Sequence, residues 1–291
     1  MPLLAVALIL VSCIMHAYWN FLFKKAHDKQ AFTGLFLVSA TALYFPMFIA
    51  LRGKLAFPPI GWACVLGTAV VYFAYFQGLA WAYSSGDLSV VYPVARSVGP
   101  ALTLAWGALF LGERLTPAGI AGVALILGGM LLLQRRPNEP RRSGRQLLAS
   151  VGPAAFVGLT YSLYSLIDKI GVGRVRIDPV LYVYLTFSTS TLLVVPWMVR
   201  RRGLAPFQKE WRANRLPCVA VGVLNILAYL LILVAMSLPR APLTYIMALR
   251  TLSVLFGAWL GIGSLGEEKH ASKAGGVVAM ISGVALIAWK G

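Results

Sequence analysis

Acidic side chains are scarce in this chain: 9 aspartates and glutamates stand against 26 lysines and arginines, and only 12% of the 291 residues are charged. Set against the apolar pattern, all nine acids (Asp28, Asp87, Glu113, Glu139, Asp168, Asp178, Glu210, Glu267 and Glu268) fall in joints between hydrophobic runs or at their ends. No carboxylate is therefore expected midway across a membrane, which argues against exchange of hydrophobic cations for protons. Histidine and cysteine are also rare, with three of each. There is no H-E-x-x-H, no paired histidines, no Gly-rich phosphate loop and no ATPase motif, so metal chemistry and direct nucleotide-driven pumping have no residues to work with. Cys13, Cys64 and Cys218 lie singly in different apolar runs, without metal spacing or a disulfide framework. No metal or other cofactor is expected. A membrane-embedded enzyme acting on lipid-linked substrates needs a positioned acid, base or nucleophile, and a multidrug exporter needs an embedded acid. Both remain as alternatives that the sequence does not favour.

Apolar residues are abundant: 59% of the chain is hydrophobic and the mean hydropathy is +0.78. A helix needs about 20 apolar residues to cross roughly 30 Å of hydrocarbon. Ten runs near that length occur, at 3 to 23, 32 to 51, 61 to 83, 89 to 111, 117 to 134, 147 to 167, 180 to 199, 217 to 237, 243 to 263 and 273 to 289. Backbone groups in lipid must be bonded internally, and long unbroken runs do not read as barrel strands. The expectation is an all-α integral membrane protein of ten transmembrane helices, with no room for a soluble domain of ordinary size. The first run is too long for a signal-peptide core and is taken as retained. The net charge of +17 resides in joints and helix ends, which is membrane topology rather than a nucleic-acid surface. Read literally, that bias puts the odd-numbered joints in the cytoplasm and both termini outside, in a bacterial inner (plasma) membrane.

The chain repeats itself. Arg96 recurs as Arg250, Glu113 as Glu267, Tyr75 as Tyr229, Gly122 as Gly276 and Gly129 as Gly283, all 154 residues apart (96 to 250, 113 to 267). Ser12, His16 and Asn20 share one face of the first span at i, i+4 and i+8 spacing. Thr160, Tyr164 and Asp168 have the same spacing in the sixth, where Tyr164 and Asp168 fall on Asn20 and Lys24 at an interval of 144. About ten residues are thus inserted in the second half, most simply in the polar joint 200 to 216. The organisation expected is a first repeat at 1–134, a basic central loop at 135–146 and a second repeat at 147–291. Five spans per half make the second repeat enter the membrane from the opposite side, and inverted repeats are the scaffold on which carriers alternate access around a midplane site.

The run Gly112-Glu113-Arg114-Leu115-Thr116-Pro117 with the helix after it closes the first half, and Leu265-Gly266-Glu267-Glu268 with its following helix closes the second. With Trp19-Asn20-Phe21 and the lysines behind it, these resemble the EamA-type repeat of the drug/metabolite transporter superfamily, over essentially the whole chain. The resemblance implies a permease that exports or exchanges a small metabolite, amino acids among them. The run from Tyr92 to Arg96, with Gly99 and Pro100, also resembles a subgroup associated with phosphonate utilisation.

Arg96 and Arg250 lie about 10 Å inside their spans at 1.5 Å per residue. Buried cations are costly and mark functional sites by default. They either bind a carboxylate, phosphate or phosphonate through the planar guanidinium fork, or snorkel and pin broken helices. Tyr75, Tyr92, Tyr164, Tyr229 and Tyr245 supply rings at helix-interior positions that suit a ligand with polar and apolar parts. Trp19, Asn20 and Asn225 join them, and His16 is the one core group whose unperturbed pKa suits proton coupling. Pro93 and Pro100 bracket Arg96 and are expected to kink span four. Glu113 and Glu267 are read as clasps on the helix that begins after each. Gly122, Gly129, Gly276 and Gly283 form small-residue seams that bring spans five and ten together. A monomer suffices for this arrangement, the oligomeric state being left open, with a small-molecule substrate and the bilayer as expected partners and no nucleic acid.

Overall fold

The computed structural model describes residues 1–24, 26–85, 98–134, 144–256 and 271–290. Ten helices run through them: α1 Leu3–Lys24, α2 Lys29–Leu51, α3 Pro59–Ser85, α4 Val98–Leu111, α5 Pro117–Gln134, α6 Gly144–Asp168, α7 Pro179–Arg202, α8 Ala205–Ser237, α9 Leu243–Phe256 and α10 Ala271–Lys290. Five of these (α1, α2, α3, α7 and α8) are long and apolar enough to cross a membrane, and α4, α5, α9 and α10 contribute shorter apolar helices. The remaining one, α6, turns polar groups inward, with Ser162, Ser165 and Asp168 all fully buried. Large apolar side chains instead cover the outside: Leu109 is 74% exposed and Leu192 73%. Such a surface is stable in lipid and a liability in water.

Packing between the halves follows a two-fold pattern. α1 lies on α8 as α3 lies on α6, α2 lies on α8 as α3 lies on α7, and α2 and α7, like α5 and α10, pack on each other. Exchanging each helix with its counterpart five places on maps these contacts onto one another, whereas the packing of α7 on α8 has no equal between α2 and α3. Helix ends show the inversion locally. Asp28 caps α2 by accepting from the N–H groups of Gln30 (3.1 Å) and Ala31 (3.0 Å), and its carboxylate takes both guanidinium nitrogens of Arg202 at the far end of α7. Asp178 caps α7 through the Val180 N–H (3.0 Å), with Pro179 at the first helical position, and receives Lys54 Nζ (2.7 Å) from beyond the end of α2. Two antiparallel helices are thus clasped at both ends by matching aspartates. α5 and α10 meet backbone to backbone. A Cβ at Gly122 would stand 2.8 Å from the Gly283 carbonyl oxygen, and one at Gly129 would stand 2.6 Å from that of Gly276.

The inserted residues do not all lie in the joint 200 to 216. The capping aspartates, Asp28 and Asp178, are 150 apart, so six of the ten extra residues fall between α6 and α7 and about four after α7. The six continue α6 as π-helical turns over Lys169–Arg174, which carries Asp168 from a helix end into a helix interior. The joint after α7 is itself mostly helical: α8 begins at Ala205 and bends at Asn214 (φ −133, ψ 30). Pro217 causes the bend, because it leaves the carbonyl one turn earlier without a donor.

Candidate functional site

Asp168 is fully buried where α3, α6, α7 and α8 meet. Its Oδ1 accepts from Thr68 Oγ1 (2.7 Å) and from the Tyr182 hydroxyl (2.8 Å), and its Oδ2 accepts from the Tyr229 hydroxyl in a short hydrogen bond. Three neutral donors, and no cation within ion-pair distance among the described residues, hold this carboxylate. The position corrects one expectation: this carboxylate, at the end of the α-helical part of α6, is enclosed by packed helices rather than left in a joint. The i, i+4 spacing places Asp168 on the face of Tyr164, and the π-helical extension explains why that face is inside the protein rather than at the end of a span.

A tyrosine cage stands on this carboxylate. Tyr72 stacks on Tyr164 with ring centroids 4.4 Å apart and planes inclined by 15°. Tyr75 and Tyr161 present edges to Tyr164 at 6.1 and 5.4 Å, and Tyr229 closes on Tyr72 at 6.1 Å and Tyr164 at 6.3 Å. The repeat-related pair Tyr75 and Tyr229 thus belongs to one cluster, together with Tyr164. Tyr72 and Tyr161 complete it, while Thr68 and Tyr182 belong to it only through Asp168. Nothing in the local sequence singles out Thr68, Tyr72 or Tyr182.

Arg250 rests against the cage with its guanidinium 5.1 Å from the Tyr229 ring centroid and 5.5 Å from that of Tyr161. It is 8% exposed, and its Nη1 is buried with no hydrogen-bond partner among the described residues. Ring faces compensate a cation by roughly 0.5–2 kcal/mol, less than the several kcal/mol that burial of an ion costs. The local backbone fixes this position. α9 loses regular helical bonding at Thr251 and Leu252, whose N–H groups reach back only three residues, and the Cys13 thiol of α1 lies 3.6 Å from the carbonyl oxygens of Leu249 and Arg250. The start of α9 is held by Glu113, which accepts from the Leu243 N–H and from both the N–H (3.3 Å) and Oγ1 (2.8 Å) of Thr244. This corrects another expectation. Glu113 clasps the arginine-bearing helix of the other half and not the helix that follows it, because α9 presents its unpaired N–H groups there.

The remaining predicted residues are dispersed. Tyr245 is buried away from the cage, accepting from the Thr116 N–H (3.1 Å) against Gly119 at the start of α5. Ser12 donates to the Ala228 carbonyl (2.6 Å), and Asn20 turns its amide back to the His16 carbonyl (2.7 Å). His16 sets its ring edge-on to Trp19 at 4.8 Å. Trp19 Nε1 is buried without a hydrogen-bond partner among the described residues, and Asn225 is half-buried one turn before Tyr229. Pro100 lies in the first described turn of α4. Lys25, Tyr92, Pro93, Arg96 and Glu267 lie outside the described residues.

Comparison with known proteins agrees with this architecture. A solved crystal structure superposes with a TM-score of 0.75 at 19% identity, covering 97% of this chain and 95% of that one, a likeness of fold. Curated relatives include the spermidine export protein MdtI of Salmonella paratyphi B and that of Salmonella newport, each 41% identical over 70 residues. Those 70 residues are 24% of this chain and 63% of the relatives, so the chain spans less than two thirds of their length. The model of the EamA-like transporter family matches residues 3–135 and 150–289. Ten helices, an inverted pair of repeats and this double match make the protein a multi-pass membrane transporter rather than an enzyme: the chain belongs to the EamA-like transporter family.

Proposed function

We propose that this transporter moves a small anionic or zwitterionic metabolite, such as an amino acid or a phosphate or phosphonate compound, with Arg250 as the anchor for its anionic group. The observation that carries the reading is the buried, unpartnered Nη1 of Arg250 among neutral tyrosines. A guanidinium placed so lacks the oxyanion that its fork geometry suits. Arg96, its mate in the repeat, is the second anchor, approached from the other side as the halves 1–134 and 147–291 alternate. Tyr75, Tyr164 and Tyr229 shape the apolar part of the ligand space. The polyamine in the relatives' name argues for a cationic substrate, but a fixed arginine repels a polycation, and the chain matches only part of those relatives. The location proposed with this reading is a bacterial inner membrane.

The test is uptake by liposomes containing the full chain, using labelled amino acids, sugar phosphates, phosphonates and spermidine. At least one anionic or zwitterionic compound is transported, and Arg250→Gln reduces its rate at least about tenfold, the loss of one charge-assisted bond of roughly 1.5–3 kcal/mol. Undiminished transport by Arg250→Gln, or transport of spermidine alone, overturns the proposal.

A further inference from the structure

Asp168 plays no part in holding an anion on Arg250, yet it is the most completely enclosed ionisable group of the tyrosine cluster. Its surroundings can be named from each element. α3 contributes Cys64, Thr68 and Tyr72, α7 contributes Tyr182, α8 contributes Tyr229, α9 contributes Arg250, and on its own helix stands Tyr164. The adjacent Lys169 is turned away and spent on the carbonyls of Met236 (2.6 Å) and Ala241 (2.8 Å). Every donor to Asp168 is a hydroxyl. A hydroxyl can rotate from donating to accepting, so the same three partners serve the carboxylate and the protonated acid, which an arginine or lysine partner would not. Tyr229 also links the two charges, giving its hydroxyl to Asp168 and its ring face to Arg250.

Resting on the anion reading above, we infer that Asp168 is a proton-binding site whose charge is coupled to Arg250, so that proton and anionic substrate bind together and move in the same direction. The sign follows from electrostatics. An ionised Asp168 partly cancels the field of Arg250 and repels an arriving anion. A proton taken from water onto Asp168 removes that repulsion, and by linkage a bound anion favours the proton. On the opposite side of the membrane the carboxylic acid returns its proton to water. In this conformation Asp168 is sealed from water, so the exchange requires the packing of α3, α6, α7 and α8 to open, which ties proton movement to the transport cycle. The π-helical turns that begin at the next residue belong to the insertion absent from the first half, and such turns recur at functional positions.

The experiment uses the full chain in lipid. Acid-minus-base infrared difference spectra show a protonated-carboxyl band that Asp168→Asn abolishes and Arg250→Gln moves to a different pH. Asp168→Glu retains a band should the asparagine variant fold poorly. L-serine and methanesulfonate, whose charges are constant between pH 5 and 8, serve as binding probes. The affinity of whichever binds falls about tenfold from pH 5 to 8 in the wild type, within the range of typical couplings, and is independent of pH in Asp168→Asn. A band that survives Asp168→Asn, a band indifferent to Arg250→Gln, or binding that is flat with pH in the wild type overturns the inference. If the band responds to both substitutions while no anionic or zwitterionic compound is transported in the liposome assay above, the coupled proton site stands and the substrate reading fails.

Discussion

The last turns of α1 and α6 are the same place in two copies of one repeat, and they have opposite fates. In the first copy α1 ends at Lys24, exposed at the membrane face. In the second, Asp168 sits at the matching position, but six inserted residues carry the helix onward and bury it beneath three hydroxyls. The partners diverge as well. Thr68, which donates to Asp168, corresponds to Gly222, where the α8 backbone instead comes close to α2: a Cβ there would meet the Phe36 carbonyl oxygen at 2.9 Å. Duplication therefore supplied a symmetric frame, and one short insertion made one end of it a polar centre. Energetic symmetry is expected where the frame is shared and asymmetry at this centre.

The largest effect is expected at the asymmetric point. Asp168→Ala deprives the hydroxyls of Thr68, Tyr182 and Tyr229 of their acceptor, at about 1–3 kcal/mol for each buried group left unpaired. Thr68 and Tyr182 stand 3.0 Å apart and can bond to each other, which brings the net loss to about 2–4 kcal/mol. Lys24→Ala at the equivalent, exposed position should stay within about 0.5 kcal/mol. Thermal melting of both variants in the same detergent measures the difference, and equal melting temperatures would contradict the comparison.

Much of the frame is legible in the sequence, for a simple reason. The length of an apolar run is a physical requirement of the bilayer, so hydropathy and run length alone locate the ten helices, spans four and nine being tested only over their described residues. Repeat arithmetic relates Tyr75 to Tyr229, whose rings lie in one cluster, and pairs the glycines of α5 and α10. The same arithmetic fails where the copies differ in length. A uniform reading puts Asp168 at a span end, since a π-helical extension has no hydropathy signature, and it assigns all the extra residues to the joint after α7. Glu113 is recognisable as a helix clasp but not as the clasp of α9, because sequence shows which groups cap and not which helix end comes near them. Tyr245 is indistinguishable from the cage tyrosines by type and depth; only packing shows its hydroxyl committed to Thr116.

Where the frame is shared, repeat mates should respond alike. Gly129→Ala and Gly283→Ala each place a methyl against a carbonyl oxygen of the facing helix, at 2.6 and 2.5 Å if nothing shifts. Forcing α5 and α10 apart should cost about 1–3 kcal/mol in either case, the range for overpacking a close interface, with the two values within about 0.5 kcal/mol of each other. Chemical denaturation in mixed micelles reads both. A difference greater than that between the mates would show that the seam is not symmetric in energy, whatever its geometry.

The smallest effects are expected at the two clasps between α2 and α7, where the symmetry can be read through pH. The Arg202 guanidinium, with the N–H groups of Ala31 and Gln30, holds the Asp28 carboxyl below its ordinary value despite partial burial. At Asp178 burial pushes upward, but the hydrogen bonds from Lys54 and the Val180 N–H outweigh it and the carboxyl again lies low. A carboxylate whose folded-state pKa is depressed contributes stability that is complete above its unfolded value, about 3.9, and is lost as pH falls through the folded value. The clasps should therefore add nothing to the pH dependence of melting between pH 5 and 8 and should fail only in more acidic solution. Both are partly solvated ion pairs, so Arg202→Ala and Lys54→Ala should each cost about 0.2–1 kcal/mol at pH 7, and less in high salt. The bidentate Asp28–Arg202 pair has better geometry than the single Lys54 contact and should lie at the upper end. If Lys54→Ala proves the more damaging, pairing geometry does not rank the clasps.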